Sequence, residues 1–327
     1  MYDFTLILLE GQLASNVALV RDMLYTAGEA APMLGLAAPR WRICSLQGGI
    51  LSLQGGFAVQ TQALPQDPAP HELWIVPGLA LRDRKQVMRR QQDPDFCTLA
   101  ARLRQHGAAG GKLAVGCSAV FLLQQAGMLD GRSVTTTWWL APLLQKMAPA
   151  CRVDADRILC EDGPLLTSGA AFALIDLMLH LLRAYGGNEL AQMVSRLLLL
   201  DARSARQAAF IVPEMMSGGD TLIANLSKEI ETALPDVPGV SQLAQKFCMS
   251  ERTLARRVRK ATGKSTIALI QSIRLRRARA LLENSRMSVE QVAAAVGYQD
   301  ATALRKMMRK VSGAKPSQAR QGAYVQN

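Results

Sequence analysis

Apolar and polar positions follow two different patterns along the chain. Up to about residue 200, short apolar runs suited to strands alternate with longer stretches suited to helices. Strands are predicted at 4–9, 41–46, 72–76, 112–116 and 133–135, with further short strands at 50–60 and 151–167. Helices are predicted at about 13–27, 83–106, 118–127, 138–147 and 169–184. This alternation predicts a parallel sheet that is covered by helices on both faces.

The second pattern, from residue 239 onward, is a helical unit that occurs twice. The strings GVSQLAQKFCMSERTLARRVRKATGKS (239–265) and SVEQVAAAVGYQDATALRKMMRKVSGAKP (288–316) each contain a short helix, a turn and a second helix. The second helices begin near the capping residues Ser250 and Asp300. Two short helices joined in this way are typical of a helix-turn-helix motif.

A long helix is predicted between the two units, over TIALIQSIRLRRARALLENS. Arg274 falls within the apolar stripe of this helix, so we expect it to need a buried acidic or carbonyl partner. The domains are accordingly predicted as 1–200, a linker with a connecting helix at 201–238, and 239–327. The two prolines near the end of the linker, Pro235 and Pro238, make it the candidate hinge.

The net charge of +12 is concentrated in the duplicated region. Residues 239–327 contain 18 basic and 4 acidic side chains, whereas residues 1–238 contain 20 basic and 22 acidic ones. Because such a local excess is self-repulsive unless a counter-charge is bound, it indicates a polyanionic partner.

The duplicated region resembles the DNA-binding domain of AraC/XylS-family transcription regulators. The matching strings are LA..F.MS.RTL.R, TGKS, RL..A..LL, SVEQVAAAVGY.D and KVSGAKPSQAR, which follow one another over 240–320. The resemblance implies double-stranded DNA as a partner. It puts the base-facing positions of the first motif at Arg252, Ala255 and Arg256, and those of the second motif at Ala301, Thr302, Arg305 and Lys306.

Physical chemistry supports part of this assignment. Arg252 and Arg256 lie four residues apart on one helix face, and arginine makes bidentate contacts with guanine. The remaining cations and a capping hydroxyl are expected to contact phosphates and to orient the motifs. They are Ser250, Arg257, Arg259, Lys260, Arg309 and Lys310.

The string AVGCSAVFLL (114–123) predicts a strand, a tight turn at Cys117 and a helix, which is a common setting for a nucleophile. Together with LWIVPG (73–78) and AGMLDGRSVTTTW (126–138), it resembles the ThiJ/PfpI family, in the version that GlxA-like regulators carry. The resemblance implies a flavodoxin-like α/β domain, similar to class I glutamine amidotransferases, followed by the all-α domain with two helix-turn-helix motifs.

Catalytic members of that family pair the cysteine with a histidine and an acidic residue. Here Thr137 stands at the histidine position and Asn16 near the acidic one, and none of the three histidines fits. We therefore expect no catalytic residues, no enzymatic activity, no metal and no cofactor. Ligands of open parallel sheets bind beyond the carboxyl ends of the strands, so the turn is expected to bind a small effector instead. The candidate effector-binding residues are Gly116, Cys117, Ser118, Thr137, Trp138 and Asn16.

The sequence as a whole predicts a DNA-binding transcription regulator, an activator controlled by a metabolite such as an amino acid or a quaternary amine. It is expected to be cytoplasmic, since no run of about 18 uncharged apolar residues and no basic leader is present. A homodimer through the N-terminal domain and contact with RNA polymerase are further expectations. Two alternatives stay open: a ThiJ/PfpI-type cysteine hydrolase or amidase with a nucleic-acid-binding tail, and a DNA-bound thiol redox sensor.

Overall fold

The computed structural model describes residues 3–67, 70–200, 221–285 and 287–312. The chain divides into two compact units, Met1–Arg203 and Ser204–Asn327. The first 20 residues of the predicted linker and the closing string from Gly313 onward lie outside the described residues.

The N-terminal unit contains an eight-stranded sheet in the order β3-β4-β2-β1-β5-β6-β10-β9, and a second sheet of β7 and β8. The strands are β1 Phe4–Ile7, β2 Trp41–Ser45, β3 Gly49–Ser52, β4 Ala58–Ala63, β5 Leu73–Val76, β6 Lys112–Gly116, β7 Ser133–Val134, β8 Arg152–Val153, β9 Leu159–Asp162 and β10 Leu165–Ser168. The helices are α1 Ala14–Met33, α2 Arg84–Arg90, α3 Pro94–Ala108, α4 Val120–Gln125, α5 Ala141–Met147 and α6 Leu174–Leu197.

The predicted parallel sheet is confirmed for six strands that lie side by side, β4, β2, β1, β5, β6 and β10. The two edge strands, β3 and β9, are antiparallel to their neighbours. Each edge strand joins its neighbour through a short turn, and a short connection can join only antiparallel strands. The strand predicted at 133–135 pairs with β8 and does not enter the main sheet. The flavodoxin-like fold class is therefore correct, with antiparallel edges added.

The helix predicted over 83–106 is interrupted, and α2 and α3 replace it. Asp93 adopts an extended conformation and Pro94 begins α3. Because proline has no backbone N–H and disfavours a helical residue before it, the helix restarts at this point.

Side chains of the main sheet alternate between two apolar cores. Ile7 of β1 belongs to the core that includes α3 and α4, whereas Leu6 and Leu8 belong to the core formed with α1 and α6. With apolar contacts on both faces, the carboxyl ends of the parallel strands remain as the edge at which polar side chains collect.

Six described helices form the C-terminal unit: α7 Thr221–Thr232, α8 Val240–Lys246, α9 Glu251–Thr262, α10 Thr266–Asn284, α11 Val289–Ala295 and α12 Ala301–Ser312. Two apolar cores hold them together, and α10 contributes to both, with Ile273 in the first and Ala278 in the second. Helix α7 packs into the first core through Leu222 and Leu226.

The partner of Arg274 differs from the expected acid or carbonyl group. Its guanidinium carbon lies 6.0 Å from the centre of the Tyr298 ring, a cation–π arrangement. The Tyr298 hydroxyl donates to Gln271 Oε1 at 2.7 Å. The ring contact satisfies the guanidinium only in part, because Arg274 Nε is buried without a hydrogen-bond partner among the described residues.

Candidate DNA interface and buried cysteine site

The first helix-turn-helix motif presents one apolar and one basic face of α9. Ser250 Oγ accepts a hydrogen bond from Thr253 N at 3.2 Å and so caps the helix, as its sequence position predicts. Leu254 and Val258 are fully buried. The side chains on the opposite face are exposed, namely Arg252, Ala255, Arg256, Arg257, Arg259 and Lys260.

The second motif repeats this arrangement in α12. Asp300 Oδ1 accepts from Ala303 N at 2.7 Å, and Leu304 and Met308 face the core. Thr302, Arg305, Lys306 and Arg309 are exposed, while the side chain of Lys310 lies outside the described part of the chain.

Ala301 is only 7% exposed, so the base-facing role assigned to it is wrong. The turn of the second motif is one residue longer: five residues separate Cys248 from Leu254, and six separate Gly297 from Leu304. Ala301 consequently corresponds to Glu251, and the exposed residues equivalent to Arg252, Ala255 and Arg256 are Thr302, Arg305 and Lys306.

The basic faces can bind DNA in two chemically different ways. An exposed arginine near the start of a recognition helix can donate two hydrogen bonds to a guanine in the major groove. Cations farther along the helix, such as Arg259 and Lys260 in the last turn of α9, are suited to phosphates, which orient the helix without reading sequence.

Cys117 begins the tight turn that follows β6. Its φ of +55° lies in the left-handed region, which is strained for a residue other than glycine. The turn is held by Thr136 Oγ1, which donates to the Cys117 carbonyl at 2.7 Å, and by Ser118 Oγ, which accepts from Leu81 N at 3.3 Å. The strand-to-turn geometry predicted from the sequence is therefore present.

Asn16 and Thr137 both reach this cysteine, although 121 positions separate them in the chain. Asn16 Nδ2 and Cys117 Sγ each lie 3.3 Å from the point where a β-carbon on Gly78 would stand. The Thr137 hydroxyl faces the thiol. All three side chains are enclosed, with Cys117 5% exposed and the other two fully buried.

Two residues that the sequence analysis missed complete the site. Gly78 follows β5, and a β-carbon there would stand 2.8 Å from Cys117 Cβ, so only glycine fits. Ser168 ends β10 in register with Gly116 and is fully buried. Both positions lie at the carboxyl end of a strand, and that placement is the signal that could have identified them.

Buried polar atoms at this site have unused hydrogen-bonding capacity. Neither Asn16 Nδ2 nor Asn16 Oδ1 has a partner among the described residues, and the same is true of Ser168 Oγ. Thr137 Oγ1 has no partner there apart from the thiol that it faces. Since a buried polar group without a partner costs about 1–3 kcal/mol, this cluster is costly unless another molecule satisfies it.

Burial raises the pKa of the Cys117 thiol, and hydrogen bonds from Ser118 and Thr137 only partly oppose that effect. The thiol is therefore protonated at neutral pH and a poor nucleophile. The three histidines have other surroundings: His106 stacks on Trp74 at 3.9 Å, His180 lies 3.0 Å from Glu161, and His71 lies 3.8 Å from Glu72.

Trp138 is 6% exposed and lies edge-to-face against Trp139, with ring centres 5.1 Å apart. A separate open cleft of about 390 Å³ lies where β2 and β4 end against the start of α3. Its two charged side chains are already paired, Asp95 with Arg90 and Arg102 with backbone carbonyls of 65–66. Among the described residues, Arg102 Nε is the polar atom of this cleft that lacks a partner, whereas the Cys117 site has several such atoms, on Asn16 and Ser168.

Within the described residues, no helix has both the length and the apolar character needed to span a bilayer. A helix-turn-helix domain model matches residues 243–322. The chain is 27% identical over 285 residues to the HTH-type transcriptional regulator GbdR of Pseudomonas aeruginosa, a match that covers 86% of this chain and 75% of GbdR. It is 31% identical over 184 residues to the regulator GlxA of Rhizobium meliloti, which covers 55% of this chain and 56% of GlxA.

Among solved structures, a ThiJ/PfpI family protein from Pseudomonas syringae has the same fold with a TM-score of 0.51 and 15% identity, over 70% of this chain and 87% of that protein. This likeness concerns the fold, and the match of the helix-turn-helix model concerns the duplicated unit. Relatives that align with most of the chain are transcriptional regulators. The chain is therefore a DNA-binding transcription regulator whose C-terminal unit is similar to the AraC type and whose N-terminal unit has a ThiJ/PfpI-like fold.

Proposed function

We propose that this regulator reads specific DNA sequences with α9 and α12 and responds to a small molecule bound beside Cys117. The observation that carries the second part is the enclosed group of polar atoms on Asn16 and Ser168 that lack partners among the described residues, beside Thr137, whose hydroxyl has only the thiol. The candidate effector-binding residues are Asn16, Gly116, Cys117, Ser118, Thr137, Trp138 and Ser168.

The chemistry of the cluster favours a small ligand with a carboxylate or another compact acceptor. The Asn16 amide and the hydroxyls of Thr137 and Ser168 are neutral donors, and hydrogen bonds from neutral donors stabilise a buried carboxylate. An amino acid or a carboxylated quaternary amine fits this description. The cationic group of such a ligand would then contact an aromatic ring, such as that of Trp138.

Enclosure supports regulation rather than passive binding. Because Cys117 is 5% exposed, a ligand can reach it only if covering groups move. A ligand that binds the opened form more tightly shifts the equilibrium toward that form. Ligand occupancy would in this way change the shape of the N-terminal unit and, through it, transcription.

The enzyme and redox alternatives receive less support. A nucleophilic thiol requires a lowered pKa or a neighbouring base, whereas burial raises the pKa of Cys117. A redox-sensing thiol requires solvent access, which Cys117 has only to 5%. We therefore propose a non-catalytic site.

For DNA, Arg252, Arg256, Thr302, Arg305 and Lys306 are proposed to face bases. The residues proposed to contact the phosphate backbone of DNA are Ser250, Arg257, Arg259, Lys260, Arg309 and Lys310. We further propose that the protein acts in the cytoplasm, where its DNA partner lies, as an activator that contacts RNA polymerase.

A homodimer through the N-terminal unit is also part of the proposal. Leu197 and Leu199 near the end of α6 are 56% and 89% exposed, and exposed apolar side chains commonly mark an interface. Sedimentation of the full chain should give a dimer at micromolar concentration, and the Leu197→Glu/Leu199→Glu variant should give a monomer. A wild type that sediments as a monomer would remove this part of the proposal.

The effector site is tested by thermal unfolding of the full chain with a panel of amino acids and quaternary amines. All four tryptophans lie in residues 1–200, so their fluorescence reports on the N-terminal unit alone. A ligand should raise the midpoint in the wild type and in the control Cys97→Ser, whose thiol is exposed. The shift should be lost in Asn16→Leu, which removes the amide, and in Cys117→Trp, which fills the space. A ligand that shifts all four proteins equally binds elsewhere, and the proposed site is then wrong.

A further inference from the structure

The recognition helix of the second motif carries an ion pair with the preceding helix. Arg305 Nη2 of α12 lies 3.2 Å from Glu290 Oε1 in the first turn of α11. The two side chains are 50% and 66% exposed. An ion pair this exposed contributes only about 0–1 kcal/mol to the free energy of folding, so a stabilising role does not explain the pair well.

The first motif has no counterpart to this pair. With the shorter turn taken into account, Arg305 corresponds to Ala255, and Glu290 corresponds to Ser241 on α8. Among the described residues, Arg252 and Arg256 have no acidic partner within ion-pair distance. The two motifs therefore present their arginines differently.

A carboxylate on a DNA-facing surface has a definite cost. Glu290 is held in its charged form because its own backbone N–H, Ser288 and Arg305 all lower its pKa. Negative charge next to phosphates weakens binding to every DNA sequence. Glu290 therefore lowers the overall affinity for DNA. Its contact with Arg305 points to a role that offsets this loss.

We infer that Glu290 is a specificity-determining residue that positions Arg305 for one base. One N–H of the guanidinium is donated to Glu290, and the remaining donors of the rigid fork are available to a guanine edge. An arginine anchored at one end loses less side-chain freedom on binding and is less able to swing onto a phosphate. This inference rests on the proposed role of α12 in reading bases.

The inference is tested with the full chain and a randomised duplex library, from which the preference at each base position and the affinity for random-sequence DNA are measured. Glu290→Gln keeps the size of the side chain and removes its charge. We expect affinity for random DNA to rise, while discrimination at the position read by Arg305 falls by about fivefold or more.

The matched control is Glu251→Gln, which removes the same charge from the first turn of α9, where no described basic side chain pairs with it. It should raise affinity for random DNA without changing any base preference. In an Arg305→Ala background, Glu290→Gln should have no further effect on discrimination. Helical circular dichroism of each variant checks that the fold is kept.

Two results would overturn the inference: unchanged base preferences in Glu290→Gln, or a change that persists in the Arg305→Ala background. The proposed DNA interface fails in a different way. If Arg256→Ala and Arg305→Ala both retain wild-type preferences, α9 and α12 are not the reading helices. If these two variants lose discrimination and Glu290→Gln does not, only the role of Glu290 is wrong.

Discussion

Cys248 and Gly297 occupy the same position in the turns of the two helix-turn-helix motifs, and both adopt the left-handed backbone conformation, with φ of 54° and 79°. The hydrogen bonds after them match as well: Met249 N donates to Ala244 O at 3.0 Å, and Tyr298 N donates to Ala293 O at 2.9 Å. Both turns therefore end their first helix in the same way, but only one uses the residue type suited to it.

Replacing Cys248 with glycine should stabilise the C-terminal unit. A non-glycine residue in the left-handed region costs about 1–2 kcal/mol, and glycine relieves this strain. Part of the stabilisation is lost again because glycine has more conformational freedom in the unfolded chain. We expect the free energy of unfolding to increase by about 0.5–1 kcal/mol in the helical circular dichroism transition. Tryptophan fluorescence, which follows the other unit, should not change. A less stable C-terminal unit would show that the Cys248 side chain contributes more than its backbone strain costs.

Gly297→Ala should destabilise the same unit more than strain alone explains. Besides the left-handed φ, a β-carbon there would collide with the Pro235 carbonyl oxygen and stand 3.1 Å from Arg274 Nη2. The control is Gly263→Ala, because Gly263 has a φ of 73° and nothing within 4 Å of its β-carbon position. We expect a loss of about 1–2 kcal/mol for the control from strain, and a larger loss for Gly297→Ala. Equal losses would mean that the contact with Pro235 relaxes freely.

Arg256→Ala and Lys260→Ala should weaken DNA binding in different ways. Loss of a bidentate base contact costs about 1–3 kcal/mol and relaxes preference at one position. Loss of a phosphate contact weakens binding to all sequences about equally and lowers the salt slope by about 1. Binding titrations at several salt concentrations, with specific and random duplexes, separate the two effects. If Arg256→Ala instead weakens binding to all sequences about equally and lowers the salt slope, Arg256 contacts the phosphate backbone of DNA.

The N-terminal unit should lose stability above about pH 9. Burial raises the pKa of the Cys44 thiol from 9.0 to about 11, and that of Cys151 to about 11 as well. Between these pH values the unfolded chain releases a proton that the folded chain retains, so rising pH favours unfolding, while below pH 9 this contribution is fully present. Fluorescence-monitored denaturation from pH 8 to 11 measures the slope. Cys44→Ala should make the slope shallower while Cys151 still contributes, and an unchanged slope would contradict the assignment to Cys44.

Cys117→Ser should leave the fold and the DNA affinity nearly unchanged. The new hydroxyl can hydrogen-bond with Thr137, and the raised pKa of the thiol means that no charged form is lost at neutral pH. We expect the midpoint of thermal unfolding to stay close to the wild-type value and the effector dissociation constant to change by a modest factor. Amide and ester hydrolysis should be absent from the wild type. Turnover that Cys117→Ser abolishes would reveal an activating group and restore the enzyme alternative.

Much of the C-terminal unit could be predicted from the sequence because its determinants are local. Capping at Ser250 and Asp300 and apolar spacing at Leu254 and Leu304 act within a few residues, so the helices of both motifs appear in the pattern of residue types. The base-facing position of Ala301 is implied by the family resemblance, and the extra residue in the second turn places this side chain in the core instead.

For the N-terminal unit the sequence alone determined the central parallel strands, the tight turn at Cys117 and the lack of its usual catalytic partners. Only the tertiary structure decided the environment of that turn. Gly78 and Ser168 lie at this turn because the parallel strands of the main sheet bring their carboxyl ends to one edge, and Asn16 lies in the helix that follows β1. Thr137 follows β7 of the separate two-stranded sheet and is held there by the hydrogen bond from Thr136 to the Cys117 carbonyl. Strand order, not sequence spacing, sets which ends are neighbours. Burial at that edge raises the pKa of the thiol, and among the described residues it leaves the Asn16 amide and the Ser168 hydroxyl without hydrogen-bond partners.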